Sequence, residues 1–258
     1  MSRPALSRRL ARPVTGLFTQ RPKRRIIFQH IPKAGGSTVN AVFKSIFRGS
    51  RFGQSVLLRD EALDMPAQIA FAQSARFVGG HFGAAVREAV RGDGYVFTVL
   101  RDPADRLISS WRFAQSHTDL SFRYGHDTLE QMIEQGTPAE RFSIDNVMAR
   151  QLGAGLDLGA AAVIPRDEWV DRALDALRSM DRVIQLADLD GGIQGVLQDN
   201  ELTYRRPIDV RNRTDGQGRR NLATGIAPPK VNRDDIAPLL QPYLELDTEL
   251  LRRWAFES

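Results

Sequence analysis

Two stretches of this chain carry side chains suited to an anion and a proton. The first is Pro32-Lys33-Ala34-Gly35-Gly36-Ser37-Thr38. A lysine, two glycines and two hydroxyl residues stand where an apolar-periodic run begins. The first N–H groups of a helix have no partner within it, so a helix start with a cation beside it attracts a phosphate-like anion. The second stretch is Gly79-Gly80-His81-Phe82. Histidine has the unperturbed pKa nearest neutrality and is the usual side chain for moving a proton. His30, just before Pro32, is the rival for that task.

The elements that must position these residues follow from local pattern. Ile26, Ile27 and Phe28 form a short apolar, β-prone run, as a buried parallel strand does. Pro32 stops it, and Gly35-Gly36 turns the chain where a Cβ would clash. Ser37 or Thr38 is expected to cap the next helix, with Val39, Val42, Phe43, Ile46 and Phe47 on one face. Residues 62–74 read as a weak helix. Arg76 to Gly83 reads as a brief strand ending in glycines, which puts His81 at a strand end, where open α/β sheets bind ligands.

Tyr95 to Leu100 is the clearest strand. It runs into Arg101-Asp102-Pro103, with Asp102 as cap and Pro103 in the first helical turn. Ala104, Leu107, Ile108 and Trp111 then recur at helical spacing, while Arg101, Arg106 and Ser109 stay polar. A short helix is expected around Leu129, Met132 and Ile133, and another over residues 145–152. There Asn146 and Arg150, four apart, share a face. Residues 167–180 are amphipathic, 182–187 form the next strand, and Leu189, Ile193, Val196 and Leu197 mark a further helix. Asn232 caps the closing helix, where Leu239, Leu240, Tyr243, Leu250, Leu251 and Trp254 pack. Alternating strands and helices predict an α/β fold, a central parallel sheet with helices on both faces, as one domain over 25–258. Residues 1–24 read as a basic, disordered arm. Residues 48–59 read as a cationic loop, and 205–229 as a lid with Arg219 and Arg220.

Composition narrows the chemistry. Of the 258 residues 42% are hydrophobic and 26% charged, which describes a globular protein with a sizeable core. Cys is absent, so disulfides, thiolate metal sites and cysteine nucleophiles are excluded; this suits a reducing cytoplasm, the expected location. No apolar run approaches the roughly 18 residues of a membrane span. The formal charge is +5, and no Asp or Glu precedes Asp60, which favours anionic partners. His117 and His126 are isolated, whereas a metal site would need clustered ligands.

The lysine precedes the glycines, the reverse of a Walker A loop. The order Pro-Lys-x-Gly-Gly-Ser-Thr instead resembles the 5′-phosphosulfate loop of sulfotransferases that use 3′-phosphoadenosine 5′-phosphosulfate (PAPS). The nearest branch is that of the heparan sulfate 2-O-sulfotransferases and related carbohydrate enzymes, where His-Ile-Pro-Lys-Thr-Gly-Gly-Thr is typical; Ala34 stands here for the threonine. Leu100-Arg-Asp-Pro-x-x-Arg-Leu-Ile-Ser-Ser-Trp111 resembles the family's 3′-phosphate segment. The resemblance extends to the Gly-His-Phe segment, to the helix with Asn146 and Arg150, and to Lys230-Val-Asn232. Gln185-Leu-Ala-Asp188 departs from the family's Gly-Leu-x-Glu.

What the resemblance implies is a P-loop-like three-layer sandwich that transfers a sulfuryl group from PAPS to a hydroxyl, with no metal. Lys33, Ala34, Gly35, Gly36, Ser37 and Thr38 would hold the phosphosulfate. Arg101 and Ser109 would hold the 3′-phosphate, and His81 would act as base. The expected acceptor is a glycan or another hydroxyl-bearing molecule, anionic ones included, with no nucleic-acid partner. Two rivals stand behind this. One is a P-loop-type kinase using Asp102 as a magnesium carboxylate; the other is a non-enzymatic polyanion binder, which lacks the interleaved aromatics that stack on bases.

Overall fold

The computed structural model describes residues 22–47, 65–116, 124–156, 158–208 and 230–257. Residues 1–21 of the arm expected over 1–24, the cationic loop, His117, and residues 209–229 of the expected lid, with Arg219 and Arg220, lie outside them.

Four strands form one parallel sheet: β1 (Ile26–Gln29), β2 (Phe77–Gly80), β3 (Tyr95–Leu100) and β4 (Arg182–Gln185), in the order β2-β1-β3-β4. The register pairs Ile26 with both Phe77 and Tyr95, and Leu100 with Gln185. Strands of period two send alternate side chains to opposite faces. Ile26, Phe28, Phe77, Phe97 and Val99 thus meet Val42 and Phe43 of α1 (Gly36–Ile46) and Ile193 and Val196 of α10 (Leu189–Asp199). Ile27, Val78 and Val96 meet Ala72 of α2 (Met65–Ser74) and Val90 of α3 (Ala84–Arg91). The Phe43 and Phe77 rings stack at 4.6 Å and those of Phe28 and Phe97 at 4.9 Å. Truncating one such buried ring to Ala costs about 3–5 kcal/mol.

The sheet order creates the place for a site. From β1 the chain passes to β2 on one side, then returns across β1 to β3. Between the carboxyl ends of β1 and β3 the loops diverge, and that crevice is where open α/β sheets bind ligands. Thr98 Oγ1 donates to the Gln29 carbonyl at 2.8 Å and locks the two strands at that end.

Around this centre lie α4 (Pro103–Gln115), α5 (Leu129–Gln135), α6 (Pro138–Ile144), α7 (Val147–Gly153), α8 (Leu158–Ala162), α9 (Trp169–Arg178) and α11 (Arg233–Glu257). A second apolar cluster joins Leu107 and Trp111 of α4, Met132 of α5, and Ile236, Leu240 and Leu244 of α11. Leu239, expected in the packing, is instead exposed, because the face of α11 that meets α4 and α5 runs through 236, 240 and 244. Asn232 Oδ1 accepts from Asp234 N, as expected of a cap.

Asn146 and Arg150 are both buried. Asn146 lies at φ +40 and inserts into the hydrogen-bond ladder of α11: its N–H donates to the Tyr243 carbonyl, its Nδ2 to the Pro242 carbonyl, and its Oδ1 accepts from Leu246 and Asp247 N. Prolines at 238 and 242 remove two further N–H groups from that helix. Arg150 donates to the Phe142 carbonyl and stacks over the Phe142 ring. Arg106 is buried too, facing Asp247 at 3.9 Å, so it ties α4 to α11.

Candidate functional site

The site is built from the three loops that leave β1, β2 and β3. The first is the turn from His30 to Gly35. Lys33 lies at φ +66 and Gly35 at φ +79, both left-handed. The conformation is easy for Gly35 but costs a residue with a Cβ roughly 1–2 kcal/mol. Lys33 is held there by Arg101, whose Nη1 donates to the Lys33 carbonyl at 2.9 Å. A guanidinium from the end of β3 thereby fastens the loop from the end of β1.

The helix that follows starts two or three residues earlier than a Ser37 or Thr38 cap would place it. Gly35 occupies the cap position and makes no side-chain cap, so Ser37 and Thr38 belong to the first turn rather than capping it. The N–H of Ala34 donates to the Ile31 carbonyl and that of Thr38 to the Gly35 carbonyl. Both side chains are buried. Ala34 and Thr38 therefore shape the turn, and the N–H row of the helix start begins with Gly35 and Gly36. Gly36 cannot be another residue: a Cβ there would stand 1.8 Å from His30 Nε2. Beneath the turn, a Cβ on Gly35 would meet Leu186 and Leu189. The segment that departed from the family pattern is thus the floor of the loop.

Two cations meet here. Burial, and then the charge of Arg101, lower the Lys33 ammonium from its ordinary 10.5 to about 8. Its Nζ lies 3.9 Å from the centre of the Phe113 ring, a cation–π contact. Arg101 is itself lowered, first by burial, although Asp105 and Asp102 pull the other way. Asp102 caps α4, accepting from Asp105 N at 2.9 Å with Pro103 next, as expected. Ser109 is buried on α4, one turn before Phe113. Phe113 was not expected at the site. Nothing in a lone phenylalanine among helical apolar residues marks it.

The two histidines divide the remaining space. Their rings stack with centroids 4.2 Å apart, and His30 also stacks on Phe28. His30 is held well below 6.5, first by burial, then by His81 and by Lys33. It is a neutral ring filling the space beneath Gly36. His81 Nδ1 lies 2.8 Å from the His30 carbonyl oxygen. A carbonyl only accepts, so Nδ1 carries the proton and Nε2 is the acceptor nitrogen. That places the basic nitrogen on His81.

A buried polar network lies behind it. Gln29 Nε2 donates to the Phe82 carbonyl at 2.9 Å, and Arg87 Nη1 donates to Gln29 Oε1 at 3.3 Å. Gln151 Nε2 donates to the His30 and Phe82 carbonyls, each at 3.1 Å. Neither glutamine was singled out from sequence. Among the described residues no group of three or more His, Asp or Glu gathers as a metal site does.

A crevice at the strand ends, two cations beside it linked through the Lys33 carbonyl, and a histidine of fixed tautomer form one candidate site on the α/β sheet. The chain belongs to the sulfotransferase family: the model described as "Sulfotransferase family" matches residues 17–157, more than half of its length. Solved chains are similar as well. One is the mouse sulfotransferase SULT7A1 complexed with PAP, at 11% identity and a TM-score of 0.44. The match covers 72% of this chain and 61% of that one, so less than two thirds of that protein is spanned. No curated protein matches by sequence.

Proposed function

We propose that the protein moves a sulfuryl group from PAPS to a hydroxyl of a glycan. The observation that supports this most is the Arg101–Lys33 link. It couples a cation beside a helix start to an arginine at the neighbouring strand end. A donor with a 5′-phosphosulfate and a separate 3′-phosphate needs two such anchors. An anion between the two cations also relieves their repulsion, so the bound donor returns Lys33 to its charged form. In the reaction, His81 Nε2 takes the proton of the acceptor hydroxyl. The acceptor oxygen bonds to sulfur as the bond from sulfur to the 5′-phosphate oxygen breaks, with the three atoms roughly in line. Lys33 and the N–H groups of Gly35 and Gly36 oppose the charge growing on that leaving oxygen. The glycan reading rests on the His30-Ile-Pro-Lys33 order and on the chain's basic balance.

The 3′-phosphate separates PAPS from most adenine nucleotides, so it carries the test. In calorimetry PAP binds more tightly than AMP, by roughly ten- to a hundredfold for one charge-assisted anchor. Because Arg101 also fastens the Lys33 carbonyl, Arg101→Ala weakens both nucleotides, and the loss of the preference is the diagnostic. Equal affinity of the wild type for PAP and AMP would overturn the donor assignment in favour of a kinase-like site.

A further inference from the structure

We infer that Gln151 is the positioning residue for His81: its buried amide holds the carbonyl that decides which nitrogen of His81 carries the proton. This rests on His81 being the base, as proposed above. Gln151 is fully buried on α7, 70 positions beyond His81 in the chain. Its Nε2 reaches two carbonyls at 3.1 Å, those of His30 and Phe82. The first accepts the Nδ1 proton of His81 at 2.8 Å; the second belongs to the residue that follows His81. One amide therefore fixes both the acceptor of the ring and the peptide that carries the ring. A carbonyl has two lone pairs, so the His30 oxygen accommodates both donors.

The orientation of the amide follows from its neighbours. Turning it over would place Oε1 against two carbonyl oxygens, a contact with no proton to share. The observed orientation instead leaves Oε1 buried without a hydrogen-bond partner. That cost is offset by the two bonds that Nε2 makes. Gln29, fixed by Arg87, supplies a second donor to Phe82 but none to His30. The hold on the tautomer-setting carbonyl thus falls to Gln151.

Selective ¹⁵N-histidine labelling tests this with four histidines to resolve. The His81 signal, assigned by its loss in His81→Gln, is expected to show protonated Nδ1 and unprotonated Nε2 in the wild type. The tautomer itself is read on the wild type, and an Nε2–H tautomer there overturns the proposal. In Gln151→Met, which keeps the volume and removes the donor, His81 is expected to become a mixture of tautomers. kcat is then expected to fall on the order of 10²-fold, the scale of a misplaced catalytic group, while PAP affinity stays within about twofold. An unchanged His81 spectrum with unchanged kcat overturns the assignment. So does a loss of PAP affinity in step with kcat, which would mark Gln151 as a general support of the fold. Absence of any PAP preference in the wild type strikes the donor reading alone, since the tautomer is read separately.

Discussion

The two ends of the β-sheet treat positive charge in opposite ways. At the amino ends of the strands the described cations are matched by oxygen. Lys23 pairs with Glu201 at 2.9 Å, Arg24 with Asp181 at 2.5 Å, and Arg182 with Asp199 at 2.9 Å. Arg25 donates to the carbonyls of Gln73, Val90 and Arg91, and Arg91 to that of Ser179. Lys23 and Arg24 are exposed and paired with carboxylates, while Arg25 braces three carbonyls. At the carboxyl ends, no carboxylate pairs with Lys33 among the described residues. Its neighbours are an aromatic ring, a second cation and a neutral histidine. A brace lowers the energy of the folded chain by itself. The buried Lys33 ammonium raises it, and becomes favourable only when an anion arrives.

If that contrast is right, substitutions at the two ends separate turnover from stability. The largest effect belongs to Lys33→Ala, which should abolish turnover while the thermal midpoint stays level or rises, since a buried, repelled ammonium is removed. Wild-type turnover in the folded variant would falsify the site. His81→Ala comes next, with turnover reduced roughly 10²–10⁴-fold, the usual contribution of a general base, and donor affinity little changed. Should turnover survive while PAP affinity collapses, His81 belongs to the donor pocket.

A smaller effect is read by pH. Lys33 in the free protein loses its proton above about 8, so above that pH binding of PAP must take one up. Affinity is then expected to fall by up to about tenfold per pH unit, and the extra slope should vanish in Lys33→Ala. The same shift affects stability. Between about 8 and 10.5 the unfolded chain binds a proton at Lys33 that the folded chain has released, so this residue's contribution to stability rises with pH through that window. Tyr95 acts in the opposite sense above 10, because burial, and then its bond to Asp199, raise its phenol. The smallest effect lies at the amino ends. Arg24→Ala should cost about 0.2–1 kcal/mol, as exposed ion pairs do, and leave kcat unchanged. A fall in kcat there would end the division of labour between the two ends.

The sequence by itself determined what depends on near neighbours. The apolar runs of β1 and β3, the glycine turn, the Asp102 cap with Pro103 and the apolar face of α1 are each set within a few residues. Lys33, His81 and Arg101 could be named because each stands at the end of a legible strand. Tertiary structure decided what those residues meet. The order β2-β1-β3-β4 puts the loops after β1 and β3 side by side, and only then does Arg101 fasten Lys33 and lower its pKa. Nothing local announces the burial of the His30 ring beneath Gly36. Gln151 and Asn146 are both polar residues of one short segment. One holds the carbonyl at His81 and the other enters the ladder of α11, because these contacts close loops of roughly seventy to a hundred and twenty residues. Pairings that distant are selected by the packing of the whole sheet and its helices, and no periodicity in the chain records them.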